Sequence, residues 1–436
     1  MSLINRKINL FQAVSINAID MVGIGPFVVM PFVVHQFGNG LFLWAWIFGA
    51  FTAFIDSTIW CELGAKYPLA GGTYQFHKIA FGVKGGKLMS FLYVWQTLIQ
   101  APLVVASAAI GFSQYLTYLL PLEIWQQKLV SGSIVLLVFV LLYRKIENIG
   151  KMAAAMGVVV VLTIAWIIIA GLTHKQHELS IVPKQYSDFF SMAFWAAIGQ
   201  GSVKTVYSYL GYYNVCHLGG EIKTPERNIP RSMFLSILVI TILYLLMNYA
   251  VMGVVDPSSV NPDNKYLVSS FMEQIAGHSA GVIITILILA VAFFSLFAVV
   301  LGYSRVPYAA AADGNFFSSF AKVHADKKIP YVSLTVLCVL GFFFSLLFKL
   351  TDVISSILAM RIVVQFMGQA VGLVLIRKSS NGQMPFRMFA YPIPVILSLI
   401  IWAFLFYSTG KFAIGGIGIM LLGIIVYQVS KKLKRS

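Results

Sequence analysis

The chain has 436 residues, of which 59% are hydrophobic and only 11% carry a charge. This composition excludes the soluble globular and disordered classes and predicts a polytopic membrane protein. The net charge of +16 does not indicate nucleic-acid binding, because the basic residues are spread through short loops instead of forming one cluster.

Apolar runs of about 20 residues, each long enough to cross a bilayer, recur about twelve times along the chain. Spans one to five are predicted at about residues 10–35, 41–65, 88–119, 128–143 and 150–172. Spans six to twelve are predicted at about residues 190–218, 232–254, 279–305, 331–348, 353–376, 390–408 and 412–430. We therefore expect an all-α fold in which residues 1–436 form one transmembrane domain. The first run lacks a cleavage site of small residues, which favours a retained span over a signal peptide.

The distribution of basic residues predicts the orientation of the spans. With Arg6 and Lys7 on the cytoplasmic side, about 23 Lys and Arg residues fall on cytoplasmic loops and about 6 fall outside, as the positive-inside rule requires. Both termini are then cytoplasmic, and we expect the protein to lie in the inner or plasma membrane, with the lipid bilayer around it.

The sequence predicts no metal site and no cofactor. The three cysteines lie singly in or beside apolar runs, and His77 and His217 have no partner at the spacing of metal ligands. We interpret the cysteines as packing residues without a disulfide.

Two spans carry residues that interrupt a helix. Gly23, Gly25 and Pro26 lie close together in span one, and Gly211 precedes the polar pair at 213–214 in span six. A helix at membrane depth is interrupted only where protein or a water-filled cavity satisfies its backbone groups. The separation by five spans suggests two halves of opposite orientation, at about 10–172 and 190–376, followed by two trailing helices at about 390–430. Paired interruptions of this kind point to the binding site of a transporter.

Four segments resemble conserved motifs of one transporter family. Residues 218–232 read Leu-Gly-Gly-Glu-Ile-Lys-Thr-Pro-Glu-Arg-Asn-Ile-Pro-Arg-Ser, and residues 23–27 read Gly-Ile-Gly-Pro-Phe. With residues 62–74 and 304–314, they resemble, in order and spacing, the amino acid, polyamine and organocation permeases. The resemblance covers roughly residues 8–380 and implies two inverted five-helix repeats plus two trailing helices, with helices one and six broken.

The resemblance also implies where a substrate binds. The carboxylate of an amino acid would meet the backbone at Gly23, Ile24 and Gly25, and its amino group would meet carbonyls around Tyr207, Ser208 and Leu210. The electrostatics agree, because a half-helix that starts at a break presents amides to an anion and one that ends there presents carbonyls to a cation. Pro26 removes one amide, which suggests a looser grip on the carboxylate.

Three charged residues lie inside predicted spans. Asp20 precedes the first break and is interpreted as a proton carrier, a counter-ion for a cationic substrate, or a structural acid that is hydrogen-bonded or paired. Lys204 either lines an outer vestibule or extends its amino group to water. Arg361 either pairs with a carboxylate such as Asp20 or Asp56, contacts carbonyls, or binds the substrate directly.

The sequence lacks the coupling residues that related carriers commonly use. Span five has no basic residue after Lys151, and residues 296–301 of span eight offer no hydroxyl for sodium. Exchange, facilitated uptake and a proton route through Asp20 all stay open. Tyr209 and the neighbouring tyrosines of span six are candidates for gating or for lining the pocket.

These observations predict a secondary transporter for a small zwitterionic amino acid that works by alternating access, as a symporter or antiporter and not as an enzyme. A carrier for polyamines or cationic amino acids, with Asp20 as counter-ion, is the alternative. An enzyme requires a cluster of catalytic groups at one depth, and a channel requires a ring of carbonyls or charges. The sequence shows neither pattern.

Overall fold

The computed structural model describes residues 6–69, 71–143, 149–183, 185–327, 329–379 and 384–433. Over these residues the regular structure is helical, with a single isolated bridge between Ile8 and Ile222. Eight of the described helices are long and apolar enough to cross a membrane. A ninth span is formed by the pair Leu10–Met21 and Gly25–Phe37, which bends by 49°. The predicted all-α polytopic fold is confirmed.

We number the spans in chain order. Spans one to six are Leu10–Met21 with Gly25–Phe37, Leu43–Lys66, Gly82–Leu116, Ile124–Leu142, Ile149–Thr173, and Met192–Tyr209 with Asn214–His217. Spans seven to twelve are Pro225–Met252, His278–Tyr303, Tyr331–Leu347, Leu350–Arg361 with Ile362–Met367 and Gly368–Ser379, Ile393–Ser408, and Lys411–Leu433. Spans nine and eleven, of 17 and 16 residues, are the shortest of this set.

Short helices connect several spans. Thr73–Ala80 and Leu267–Ala276 lie where the sequence predicted loops, because each is a brief amphipathic segment whose apolar side is buried. Arg305–Ala312 follows span eight and is ended by Gly314 in the left-handed conformation, φ 71°. Span seven begins earlier than predicted, because Pro225 fits the first turn of a helix.

Spans one, two, six and seven share one large hydrophobic core. At one end of the molecule, Arg377 of span ten makes a two-pronged ion pair with the buried Glu62 of span two, at 2.5 and 2.6 Å. Span ten carries a π-helical turn at Ile362–Met367, a feature often found at functional sites. These contacts hold the broken spans within a packed helical frame.

Candidate functional site

Span one is interrupted between Met21 and Gly25. Its second half starts with Gly25 and Pro26, and the fixed backbone of proline suits the first turn of a helix. In the part of the chain that the structure describes, no hydrogen bond reaches the amides of residues 23–25. The second half therefore begins with free N–H groups, at the end of the helix where an anion is favoured.

Span six is interrupted after Tyr209. Gly211 has a φ of 122°, which an L-residue with a side chain rarely adopts, so glycine permits the sharp change of direction. The chain resumes as the short helix Asn214–His217, whose first amide donates to the carbonyl of Gly211 at 2.9 Å. The break therefore satisfies part of its own backbone.

The two breaks lie against each other. A Cβ atom added to Gly211 would lie 2.8 Å from the carbonyl carbon of Asp20 and 2.8 Å from the amide of Met21. The hydroxyl of Tyr244, from span seven, lies 2.9 Å from the carbonyl of Met21 and 3.1 Å from that of Ser208. One buried hydroxyl therefore serves a carbonyl from each break, as broken helices require in a membrane.

A small cavity of ≈ 50 Å³ lies between the breaks. The residues predicted for the site that line it are Asp20, Gly23, Ile24, Gly25, Tyr207, Ser208, Leu210 and Arg361. A space of this size holds a few water molecules, so a larger ligand enters only when the surrounding spans move.

Two predicted site residues lie outside this lining. Tyr209 packs edge-on against Trp46 and Tyr244, at ring distances of 6.3 and 5.2 Å. The amino group of Lys204 donates to the carbonyl of Thr351 and the hydroxyl of Ser355, both at 3.0 Å. Lys204 thus joins span six to span ten instead of pointing into the cavity.

Arg361 is 2% exposed and lies beside the π-helical turn of span ten. One of its terminal nitrogens donates to the hydroxyl of Tyr213, and its guanidinium group lies 5.9 and 5.5 Å from the rings of Tyr213 and Tyr303. Its Nε has no hydrogen-bond partner among the described residues. The same portion of the chain shows no ion pair between Arg361 and Asp20, although both line the cavity.

Asp56 is held by neutral donors. The indole nitrogens of Trp60 and Trp402 donate to its carboxylate at 2.8 and 2.9 Å, and the hydroxyls of Tyr212 and Ser398 donate at 2.5 and 3.2 Å. Charge-assisted hydrogen bonds of this kind offset the cost of burying a carboxylate. Asp56 therefore does not pair with Arg361, as the sequence suggested it could. It instead holds Tyr212, which follows the second break.

The cavity is blocked on one side and continues on the other. The hydroxyls of Tyr207 and Ser107 are hydrogen-bonded at 2.8 Å, which joins span six to span three. In the other direction a gap of ≈ 10 Å³, which Asp20 and Tyr303 also line, leads to a larger cavity of ≈ 500 Å³. The larger cavity ends among the loops that follow spans two, six and eight.

Sequence reasoning missed Ser295 and Tyr244. Ser295 lines the cavity, and a Cβ on Gly23 would approach its Oγ to 2.7 Å. It directly precedes the segment that was searched for hydroxyls, so a window one residue longer would have found it. No signal marked Tyr244, because its role depends on a tertiary contact.

Comparison with known proteins gives the family. A sequence profile described as "Amino acid permease" matches residues 8–428, which is nearly the whole chain. The chain belongs to the amino acid permease family. The expected membership in the wider group of amino acid, polyamine and organocation carriers is thereby confirmed, and the permease is a multi-pass membrane protein.

Three relatives indicate the range of the family. The permease is 24% identical over 445 residues to the serine/threonine exchanger SteT of Bacillus subtilis, which covers 99% of this chain and 98% of the exchanger. It is 23% identical to the aspartate-proton symporter of the same organism, over 89% of this chain and 76% of the symporter. It is 27% identical to the human large neutral amino acids transporter small subunit 2, over 97% and 80% of the two chains.

Proposed function

We propose that the permease is a secondary transporter that carries a small amino acid through the cavity between the two breaks. The α-carboxylate binds the free amides at Gly23, Ile24 and Gly25. The α-amino group binds at the end of the first half of span six, at Tyr207, Ser208 and Leu210. The observation that carries the proposal is the contact of Gly211 with the backbone of Asp20 and Met21, which brings both breaks to one cavity.

The arrangement supports alternating access. The hydrogen bond between Tyr207 and Ser107 lies on the side away from the large cavity, and only a narrow gap beside Tyr303 separates the site from that cavity. A movement of the broken spans that opens one side and closes the other would move a ligand across. The large cavity ends among loops that the distribution of basic residues assigns to the cytoplasm.

Asp20 is the candidate coupling group. It lines both the cavity and the narrow gap, so a proton on its carboxylate would travel the route of the substrate. The relatives include a named exchanger and a named proton symporter, and proton symport and exchange both stay open for this chain.

The alternative is a carrier of polyamines or cationic amino acids with Asp20 as counter-ion. Arg361 disfavours it, because a buried guanidinium in the same cavity opposes a second cation. A carrier is also favoured over an enzyme, since the lining combines backbone groups with single polar side chains.

The purified permease in proteoliposomes tests the proposal. We expect uptake of at least one radiolabelled amino acid to saturate and to be accelerated by unlabelled amino acid inside the vesicles. A thermal-shift screen with amino acids and polyamines at two pH values identifies the ligand beforehand. Uptake that rises linearly without saturation, or a response to polyamines alone, would reject the proposal.

A further inference from the structure

The cavity contains a cation with unused donors. Arg361 is buried, its Nε lacks a partner in the described ranges, and its one recorded hydrogen bond goes to the neutral hydroxyl of Tyr213. Asp20 lines the same cavity but makes no ion pair with Arg361 in the described part of the chain. Burying a guanidinium without a paired anion costs several kcal/mol. A buried cationic side chain inside a membrane protein commonly marks a functional site.

Its surroundings fit a planar anion. The aromatic rings of Tyr213 and Tyr303 lie near the guanidinium at 5.9 and 5.5 Å and restrict its orientation. The guanidinium fork matches both oxygens of a carboxylate, which gives stronger and more directional hydrogen bonds than a neutral ligand can. Arg361 also belongs to span ten, so it approaches the cavity from a different element than the breaks of spans one and six.

We propose that Arg361 binds a carboxylate at the end of the substrate's side chain, and that the permease selects a short dicarboxylic amino acid. The inference rests on the proposed function, in which the two breaks already bind the α-carboxylate and the α-amino group. Arg361 would then bind the second carboxylate, at the end of the substrate's side chain. Both dicarboxylic amino acids exceed the cavity of ≈ 50 Å³, and aspartate, the shorter one, requires the smaller movement of the surrounding spans.

Lys204 is not equivalent to Arg361. Its amino group already has two oxygen acceptors, on Thr351 and Ser355, and it does not line the cavity. Arg377, a partly exposed arginine near the end of span ten, donates two hydrogen bonds to the carboxylate of Glu62. Within the described structure, Arg361 is therefore the cavity's cationic side chain, and the substitution that tests the proposal is made there.

Equilibrium binding to the purified full-length permease tests this selection with three probes: L-aspartate, L-asparagine and L-alanine. Aspartate and asparagine differ little in shape, so the difference between them measures the effect of the side-chain charge. We expect the wild type to bind aspartate about tenfold or more tightly than asparagine. In Arg361→Gln the preference should fall to about unity while asparagine binds within about threefold of its wild-type affinity.

Two further variants make the test specific. Arg361→Lys keeps the charge but loses the planar fork, so we expect an intermediate preference. Lys411→Gln removes one positive charge from the exposed start of span twelve and should leave the preference unchanged. Where Arg361→Gln does not fold, Arg361→Lys and the wild-type comparison still decide the question.

The failures of the two proposals are distinguishable. If the wild type binds asparagine or alanine as tightly as aspartate, the role given to Arg361 is wrong and the carrier mechanism stands. A preference for aspartate that persists in Arg361→Gln also overturns it. If none of the three probes binds and no other amino acid is taken up, the proposed function fails as well.

Discussion

Asp20 lies in the cavity and in the narrow gap that leads from it, where a substrate and a proton would follow the same path. Arg361 and the hydroxyls of Tyr207, Tyr213 and Tyr303 are the other charged or titratable groups that line its cavity. Moving a buried carboxylate between two sides of a membrane is easier when it carries a proton, because the charged form is poorly solvated there. Its protonation can therefore be tied to the movement of the spans.

The substitution Asp20→Asn tests this coupling. It preserves the shape of the side chain and removes the proton site, so we expect concentrative uptake to lose its dependence on external pH. Exchange of amino acid for amino acid should continue, because it requires no net proton movement. Uptake into proteoliposomes under an imposed pH gradient, compared with exchange at equal pH, provides the measurement.

Asp326→Asn is the matched control for Asp20→Asn. It makes the same substitution at an exposed residue between spans eight and nine that lines neither the cavity nor the narrow gap beside Asp20. The control should keep the pH dependence of the wild type. A pH dependence that survives in Asp20→Asn would remove this residue from the coupling mechanism.

At the level of the elements, the two breaks depend on span seven. Tyr244 is buried, and its hydroxyl serves the carbonyls of Met21 and Ser208. Asn17 adds a second link, because its side-chain oxygen accepts from the amide of Val215 at 3.0 Å. Span seven and the first half of span one thus hold the second break in register with the first.

Tyr244→Phe removes one oxygen and leaves two buried carbonyls without this donor. An unsatisfied buried polar group costs about 1–3 kcal/mol, so we expect both amino acid affinity and the unfolding temperature to fall. A loss of about 1.4 kcal/mol in binding would weaken the affinity about tenfold. Binding isotherms and thermal unfolding of the purified variant give the two quantities.

Tyr249→Phe serves as the control for Tyr244→Phe. It makes the same change five residues later in span seven, where the hydroxyl accepts a hydrogen bond from the amino group of Lys175 at 3.1 Å near the end of the span. We expect its amino acid affinity to equal that of the wild type. Equal affinities in both variants would show that the hydroxyl of Tyr244 does not position the breaks.

The breaks themselves could be predicted from the sequence, but the groups that stabilise them could not. Gly23 and Pro26 lie close together and Gly211 precedes a polar pair, and in these settings their backbone preferences indicate an interruption of an apolar run. Tyr244 and the donors to Asp56 lie in other spans, and their roles arise only from packing. A buried Tyr in an apolar helix looks the same in sequence whether it packs or donates.

For the whole molecule, the structure resembles a carrier that is closed on one side. The Tyr207–Ser107 hydrogen bond lies on the closed side, and the cavity of ≈ 500 Å³ approaches the site from the other. The ion pair between Glu62 and Arg377 is near the same end as the large cavity, and it holds spans two and ten together there. Span eight forms part of the wall of the large cavity and of the gap that leads to the site.

Cysteine labelling tests this asymmetry. Ala298 of span eight lines both the large cavity and the narrow gap. Ala298→Cys should therefore react with a membrane-impermeant thiol reagent added from the side that the basic residues assign to the cytoplasm. The natural cysteines Cys61, Cys216 and Cys338 are buried, which keeps the background low. Ile286→Cys is the control, because Ile286 lies on the same span with 52% of its surface exposed on the outside of the bundle, where lipid excludes the reagent.

A saturating concentration of the transported amino acid should slow the labelling of Ala298→Cys, since a bound ligand favours closure of the path around it. The rate is measured in vesicles of known orientation, with the reagent added to one side at a time. Equal labelling from both sides would indicate a continuous pore. A rate that the amino acid leaves unchanged would mean that the large cavity does not communicate with the site, and the path through Asp20 and Tyr303 would then have to be abandoned.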